Sequence, residues 1–369
     1  MPGLLEPSTK PIVPTWARPA ETKAELDWAP LAIIDLSKYD TPGGKQSLAH
    51  ELHDAVKRWG FWTVVGTGID DALILRQLSI AQAFFKLPIV EKRRAPCDFS
   101  VGNYFGYREP TRTIGNTDVK ENMEMLNIPK FTPDYEHVPQ TEFIRLFHDE
   151  IQPFHRLVWD QVVKKLMTLF AIILELSEDY FVERHAYDQR SEDHLRYMIY
   201  HPRDAEEDRK IKDMWSPGHT DFGSLTLLFS QTVAALQIKT PNNEWKWVRP
   251  VPGGITCNAA DTLSFMTKGY LKSTIHRVVR PPPDQAHIDR LGLFYFVRPG
   301  DAVDMVPTPS PLLKRLGLIK DDEENPPAPV KGYGESRVTN VHDVRQTRHD
   351  QGINQEFKVG NLIVQDRYA

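Results

Sequence analysis

Cysteine is nearly absent from this chain of 369 residues, which holds only Cys97 and Cys257, in unlike contexts. That scarcity argues against a disulfide scaffold and for free thiols in a reducing compartment. Asn-x-Ser/Thr sequons are missing as well. So are long apolar runs: the most apolar segment, Leu166 to Leu176, is too short and too interrupted to cross a bilayer. The opening residues, Met-Pro-Gly-Leu-Leu-Glu-Pro, lack the charged start and apolar core of a secretory signal. The closing Arg-Tyr-Ala matches neither a peroxisomal address nor a prenylation box. The expectation is a cytoplasmic protein with no membrane partner. No lysine-arginine block stands out, and 45 basic against 50 acidic residues leave a formal charge of −5. Nucleic-acid binding therefore has no electrostatic basis, while a small-molecule substrate stays open because a local basic pocket does not show in a net charge. Nothing suggests an extensive exposed apolar face, so a monomer is expected.

What is present is enough for a large core: forty per cent of the residues are apolar. Prolines at 2, 7, 11, 14, 19 and 30 make residues 1–30 an extended arm. A strand is expected at Leu31 to Leu36, then a turn at Asp40-Thr-Pro-Gly-Gly. Gly43-Gly44-Lys45 has the wrong glycine spacing for a phosphate loop and reads as a plain turn. Leu48, Leu52, Ala55, Val56 and Trp59 recur at helical spacing up to Gly60, and a strand follows at Phe61 to Val65. A second helix is expected from about Asp71 to Lys86, ended by Pro88. His50 and His53, three apart, would decorate the solvated face of the first helix, since no further ligand completes a metal shell.

Val101 to Pro110 interleaves Tyr104, Phe105 and Tyr107 with glycine, which suits either a packed edge strand or an aromatic pocket lining. Residues 140–176 are expected to be long amphipathic helices, with Pro153 kinking one or starting another. From His194 onward short strand candidates follow one another: Ser224 to Phe229, Ala234 to Lys239, Glu244 to Val251, Ile255 to Asn258, Leu263 to Thr267, His276 to Arg280 and Gly292 to Arg298. Such spacing, with hairpin signals at Asn242-Asn243 and Pro252-Gly-Gly, describes a two-sheet jelly roll. The predicted class is α+β: a double-stranded β-helix braced by amino-terminal and central helices. Its parts would be the arm (1–30), a helical and strand region (31–180), the jelly-roll catalytic region (181–311) and a carboxyl-terminal linker and tail (312–369). In the last, Ser310-Pro-Leu-Leu-Lys-Arg-Leu-Gly reads as a capped helix, Asp321 to Pro329 as a linker, and the rest as a tail wrapping the barrel mouth.

The chemistry concentrates in Ser216-Pro-Gly-His-Thr-Asp-Phe222. On an extended strand His219 and Asp221 would point to one face, and His276, in Lys-Ser-Thr-Ile-His-Arg-Val-Val, can supply a third ligand. Two histidines and one carboxylate on one face of an octahedral ion leave the other positions open, the arrangement of non-haem iron(II) oxygenases. A bare His-x-Asp is a weak signal among 13 histidines and 50 carboxylates.

The chain as a whole, from about Pro30 to Pro311, resembles the isopenicillin N synthase-like branch of the 2-oxoglutarate and iron(II)-dependent dioxygenases. The matching pieces include Gly218-His-Thr-Asp-Phe-Gly-Ser-Leu-Thr-Leu-Leu228, Trp247-Val248 with Pro250, Asn258 with Asp261, and Lys272 to Val279. Arg290 before Phe294-Tyr-Phe296, Gly60-Phe61 and Phe84-Phe-Lys-Leu-Pro88 complete them. The resemblance implies an oxidoreductase in which His219, Asp221 and His276 hold Fe(II). O₂ and 2-oxoglutarate would be cosubstrates, succinate and CO₂ the coproducts, and a small organic molecule would be hydroxylated, desaturated or cyclised. Specialised metabolism is the setting by analogy.

Arg290 would bind the distal carboxylate of 2-oxoglutarate through paired charge-assisted hydrogen bonds, with Tyr200 touching the same group. Otherwise Arg290 pairs with a surface carboxylate, and Tyr200 satisfies a backbone carbonyl. Tyr104, Phe105, Tyr107, Phe222 and Phe296 are the substrate-facing candidates; His194 and His201 are ordinary polar residues. The pattern departs from many relatives at Gly292, where they have a serine whose hydroxyl is worth about 1 kcal/mol. An oxidase of the same fold that does not use 2-oxoglutarate, and a non-catalytic binding protein, stay open as alternatives.

Overall fold

The structure is a computed structural model, and it describes residues 9–98 and 103–320 together with the backbone of strands Ala328–Pro329, Gln355–Val359 and Leu362–Asp366. Two sheets face each other. The larger is built from β1 (Ile33–Asp35), β2 (Phe61–Val65), β3 (Gly106–Arg108), β4 (Met123–Pro129), β5 (His194–Tyr200), β7 (Leu225–Phe229), β10 (Ile255–Ala259) and β12 (Arg290–Val297). Its spatial order is β1-β2-β10-β7-β12-β5-β4-β3, antiparallel except for the β1–β2 pair. The smaller has β6 (Met214–His219), β8 (Leu236–Lys239), β9 (Trp245–Trp247) and β11 (His276–Val279), in the order β6-β11-β8-β9.

Alternation along the central strands sorts side chains between two environments. On β12 the odd positions Leu291, Leu293, Tyr295 and Val297 join the main core, as do Leu195, Tyr197 and Ile199 of β5. They pack against helices Gly44–Arg58, Asp71–Phe85 and Lys164–Ile173. The first helix buries Leu48, Leu52, Ala55 and Val56, a stripe at the spacing of a half-buried helix. Each such fully buried Leu or Phe contributes about 1.5–3 kcal/mol. The even positions Arg290, Phe294 and Phe296 of β12, with Arg196, Met198 and Tyr200 of β5, face the smaller sheet and line the space between the two.

The arm is a strap. Trp16 is buried and donates its backbone N–H to Ser79 Oγ at 2.9 Å, and Ala29 donates to the Trp247 carbonyl at 2.7 Å. Helix Pro311–Arg315 is capped by Ser310 Oγ, which accepts from Leu313 N at 3.2 Å.

Several expectations are corrected. Leu263 to Thr267 is not a strand: Asp261–Met266 is helical, because Ala260, Asp261 and Thr262 donate their N–H groups to Ser224, Asp221 and Gly223 and turn the chain there. Pro153 sits inside helix His148–Val158 and starts nothing; the irregularity falls later, as a π-helical turn at Trp159–Val163. The first helix begins at Gly44, earlier than its apolar stripe. His53 is not on a solvated face but half-buried, with Nε2 2.5 Å from Tyr270 Oη, while His50 is exposed. Strand β4 was not anticipated. The linker from Asp321 and the wrapping tail lie outside the described residues, apart from the backbone of their short strands.

Candidate active site

Strand β6 ends at His219, and β11 begins at its cross-strand partner His276. Asp221 lies two residues past the end of β6, and its carboxylate faces both rings. Its Oδ1 is 3.8 Å from His219 Nε2 and 3.5 Å from His276 Nε2. One ligand atom from each of the three lies within 4.8 Å of the others, and this is the one such group of metal-binding side chains among the described residues.

Both imidazoles are oriented by the backbone. His219 Nδ1 donates to the Pro217 carbonyl at 2.8 Å and His276 Nδ1 to the Thr274 carbonyl at 3.2 Å, which leaves each Nε2 lone pair aimed at the centre. Burial opposes ionisation of Asp221. The adjacent His276 and His219 outweigh it, holding the carboxyl well below the usual carboxylate range. Asn258 Nδ2 donates to Asp221 Oδ2 at 2.9 Å, and the Phe61 ring meets His276 edge-on with centroids 5.4 Å apart. Two nitrogens and one ionised oxygen, converging on one centre, fit a divalent iron ion.

The loops carrying these ligands are fixed by close contacts. Gly223 has φ +107°, and a Cβ there would sit 2.7 Å from the Val297 carbonyl oxygen. Gly60 has φ +65°, and a Cβ would stand 2.4 Å from Thr274 Oγ1, so it lets the segment before His276 cross the end of the first helix. Asp261 joins both loops: Thr220 Oγ1 donates to its Oδ2 at 3.1 Å, Ser273 Oγ to its Oδ1 at 2.7 Å, and its own N–H donates to the Asp221 carbonyl at 3.0 Å.

The ligands open onto a cavity of about 310 Å³, the size of a small-molecule site. Arg290 lies in its wall, 3% exposed and directly opposite Tyr200 in the β12–β5 register. Its guanidinium has no carboxylate partner among the described residues: Nε donates to the Val233 carbonyl at 3.3 Å, and the group stands 5.7 Å from the Tyr200 ring. Burial lowers its pKa to about 10. No surface carboxylate among the described residues pairs with it. A buried, unmatched guanidinium is costly and calls for an anion. Tyr200 is buried and stacks on Trp215 with centroids 5.9 Å apart.

Of the aromatic candidates, Tyr104, Phe222 and Phe296 line the cavity. Phe105 and Tyr107 do not. Phe105 packs on Tyr135 (5.2 Å), and Tyr107 is on the helix side of β3, its hydroxyl donated to Glu124 and its ring against Phe84. The odd step between Tyr104 and the β3 alternation separates them. His194 stacks on Phe296 at 4.8 Å, and His201 bridges Glu124 (2.8 Å) and Asp289 (3.0 Å). Sequence reasoning missed Arg196, Arg298, Arg108, Arg112 and Trp215 as lining residues. The alternation Arg196-Met198-Tyr200 on β5 was the signal that could have found the first.

Comparison with known proteins follows the same lines. Residues 31–145 match the family described as non-haem dioxygenase in morphine synthesis N-terminal, and residues 191–299 match the 2OG-Fe(II) oxygenase superfamily. A Schizosaccharomyces pombe protein, UPF0676 protein C1494.01, is 31% identical over 283 residues, spanning 74% of this chain and 83% of that one. The chain belongs to the 2OG-Fe(II) oxygenase superfamily. The 1-aminocyclopropane-1-carboxylate oxidase of Dictyostelium discoideum is 27% identical, over 81% of this chain and 89% of its own. Among solved structures, the fold of this oxygenase is similar to that of a full-length Neurospora crassa protein crystallised in complex with alpha-KG. The TM-score is 0.72 at 22% identity, covering 87% of this chain and 99% of that one. The jelly-roll core and the α+β class are thus those expected. The oxygenase is a dioxygenase that uses iron(II) and 2-oxoglutarate to oxidise a small molecule. No helix among its described residues is long and apolar enough to cross a membrane.

Proposed function

We propose that His219, Asp221 and His276 are the iron(II) ligands of this oxygenase, and that Arg290, with Tyr200, receives the distal carboxylate of 2-oxoglutarate. The observation that carries this reading is one cavity with the three converging ligand atoms on its wall and a buried, carboxylate-free guanidinium lining it. Iron with its keto-acid cosubstrate supplies the oxidation of a C–H bond. The chain's own residues do the positioning. His219 and His276 present fixed Nε2 atoms, Asn258 holds the Asp221 carboxylate, and Phe61 packs behind His276. Tyr104, Phe222 and Phe296 give the reacting molecule an apolar enclosure from which water is excluded.

Residues 181–311 are in this reading the catalytic region and 31–180 its support, working as a cytoplasmic monomer without nucleic-acid or membrane partners. The net charge of −5 and the absence of a basic block support the absence of a nucleic-acid partner. The test is succinate release coupled to product. It should require both iron(II) and 2-oxoglutarate and vanish in His219→Ala together with iron binding. Turnover indifferent to 2-oxoglutarate would instead make the protein an oxidase of the same fold.

A further inference from the structure

Arginine is over-supplied in this cavity: Arg108, Arg112, Arg196, Arg290 and Arg298 all line it. Arg108 pairs with Glu121 and Arg298 with Glu192. Arg112 is half-exposed, where water screens its charge. Arg290 is assigned to the cosubstrate. Arg196 has no such match. It is 7% exposed, and every group it touches is neutral. Nε donates to Asn127 Oδ1 at 2.7 Å, and Nη2 donates to Tyr104 Oη at 2.7 Å and to His194 Nε2 at 3.3 Å. Its guanidinium lies over the Phe296 ring, 4.2 Å from the centroid.

His194 cannot serve as a counter-charge. Burial first, and then Arg196 itself, push its pKa well down, and with Nδ1 donated to the Glu192 carbonyl its Nε2 is the accepting atom. Nη1 of Arg196 donates to no described residue. In the loaded site the charges of iron(II), Asp221, 2-oxoglutarate and Arg290 cancel, which leaves Arg196 as one positive charge in excess in the chamber wall beside Phe296. A buried charge of that kind is costly until an anion meets it. The guanidinium is already clamped by three neutral contacts and the Phe296 face, so Nη1 is held in place to donate to a carboxylate oxygen in a charge-assisted hydrogen bond.

The position is suited to a substrate and not to the cosubstrate. Arg196 is opposite Phe294, whereas the end of β5 that faces Arg290 is Tyr200. Asn258, which donates to Asp221, is paired with Thr226 of β7, and β7 is on the far side of β12 from β5. Two strand spacings, roughly 10 Å, separate those strands. Phe294 and Phe296 line the wall between them.

We propose that Arg196 binds the carboxylate of the substrate, so that the molecule oxidised is a monoanionic organic acid whose apolar or aromatic body lies along Phe296 and Phe222 toward the metal ligands. This rests on the oxygenase reading above. The test is calorimetric titration of the full-length protein, loaded with Mn(II) and 2-oxoglutarate so that nothing turns over, with 3-phenylpropanoate, 4-phenylbutanoate and naphthalene-2-acetate and with the primary amide of each. At least one acid is expected to bind, at least tenfold more tightly than its amide. Arg196→Met should weaken that acid by about 10- to 100-fold, the range for a hydrogen-bonded charge, with the amide shifted less than twofold. Arg196→Lys should keep part of the preference.

The proposal is overturned if no acid binds saturably, if acids and amides bind alike, or if Arg196→Met retains the preference. Should Arg196→Met fail to fold, the acid-to-amide ratio of the wild type and the lysine variant still decide. Titrating 2-oxoglutarate alone comes first. Its failure to bind would sink the cosubstrate assignment, and the acids titrated into Mn(II)-loaded protein would still read Arg196.

Discussion

Replacing Gly292 by serine would restore the hydroxyl that many relatives carry, and on sequence grounds it should tighten 2-oxoglutarate binding. The structure predicts the reverse. A Cβ on Gly292 would stand 2.7 Å from Gln231 Nε2 and 2.7 Å from Phe294 Cε2, both inside contact distance. Gln231 is a flexible side chain and can withdraw, but withdrawal breaks its hydrogen bond to the Leu291 carbonyl, 2.8 Å long and worth about 1 kcal/mol. The Phe294 ring packs with both of the smaller core clusters and lines the cavity beside Arg290, so moving it carries the overpacking cost of about 1–3 kcal/mol. Gly292→Ser should therefore lower the melting temperature by several degrees and raise the Kd for 2-oxoglutarate, both readable by thermal scanning with and without the keto acid. Adding Gln231→Ala removes one of the two clashes and should return part of the loss. If Gly292→Ser bound 2-oxoglutarate more tightly at an unchanged melting temperature, the account of this departure from the family pattern would be wrong.

Arg290→Gln removes a charge-assisted contact and should raise the Kd for 2-oxoglutarate by about 10- to 100-fold; an unchanged Kd would reassign the arginine. Asn258→Ala frees Asp221 Oδ2 and should weaken iron(II) binding by about tenfold or more in a competition assay with a chelator, as losses of groups that orient a metal ligand do. His201 is held by Asp289 and Glu124, which raise its pKa to about 9 against about 6.5 for an unfolded histidine. A raised value means that its stabilisation is complete below about pH 6.5 and disappears as pH rises through about 9, so His201→Gln should flatten the fall in stability across that window. Denaturant melts of the two proteins from pH 6 to 10 would show it, and parallel curves would rule it out.

The parts of the fold that were legible are those in which local pattern and tertiary demand agree. Strand β2 came out at its full span because Phe61 to Val65 is mostly apolar and follows a glycine stop, and the helix from Asp71 was bounded by Pro88, while its start is fixed by Asp70, whose side chain accepts from Ala72 N. Leu263 to Thr267 reads as a strand by composition, yet Asp261–Met266 is a helix because the N–H groups of Ala260, Asp261 and Thr262 are claimed by the carbonyls of Ser224, Asp221 and Gly223, a contact no local window contains. At the site, motif and resemblance singled out His219, Asp221, His276 and Arg290, and the fold brings all four to one cavity, with Asp221 just beyond the strand it was expected to end. Phe105 and Tyr107 were misplaced because an aromatic-glycine run shows no register, so the face each ring takes could not be read. Arg196 went unnoticed since an arginine in a strand is usually a surface residue, and only the sheet stacked above it makes it an interior one.

Asp261 has a consequence for the life of the protein between turnovers. Because this one side chain staples the two ligand-bearing loops to a short helix, their separation is maintained by the polypeptide and not by the ion. Loading and loss of iron then resemble a key entering a rigid lock. A cell short of iron would hold a stock of intact, idle enzyme, ready to resume work when the metal returns, rather than chains unravelling toward proteolysis.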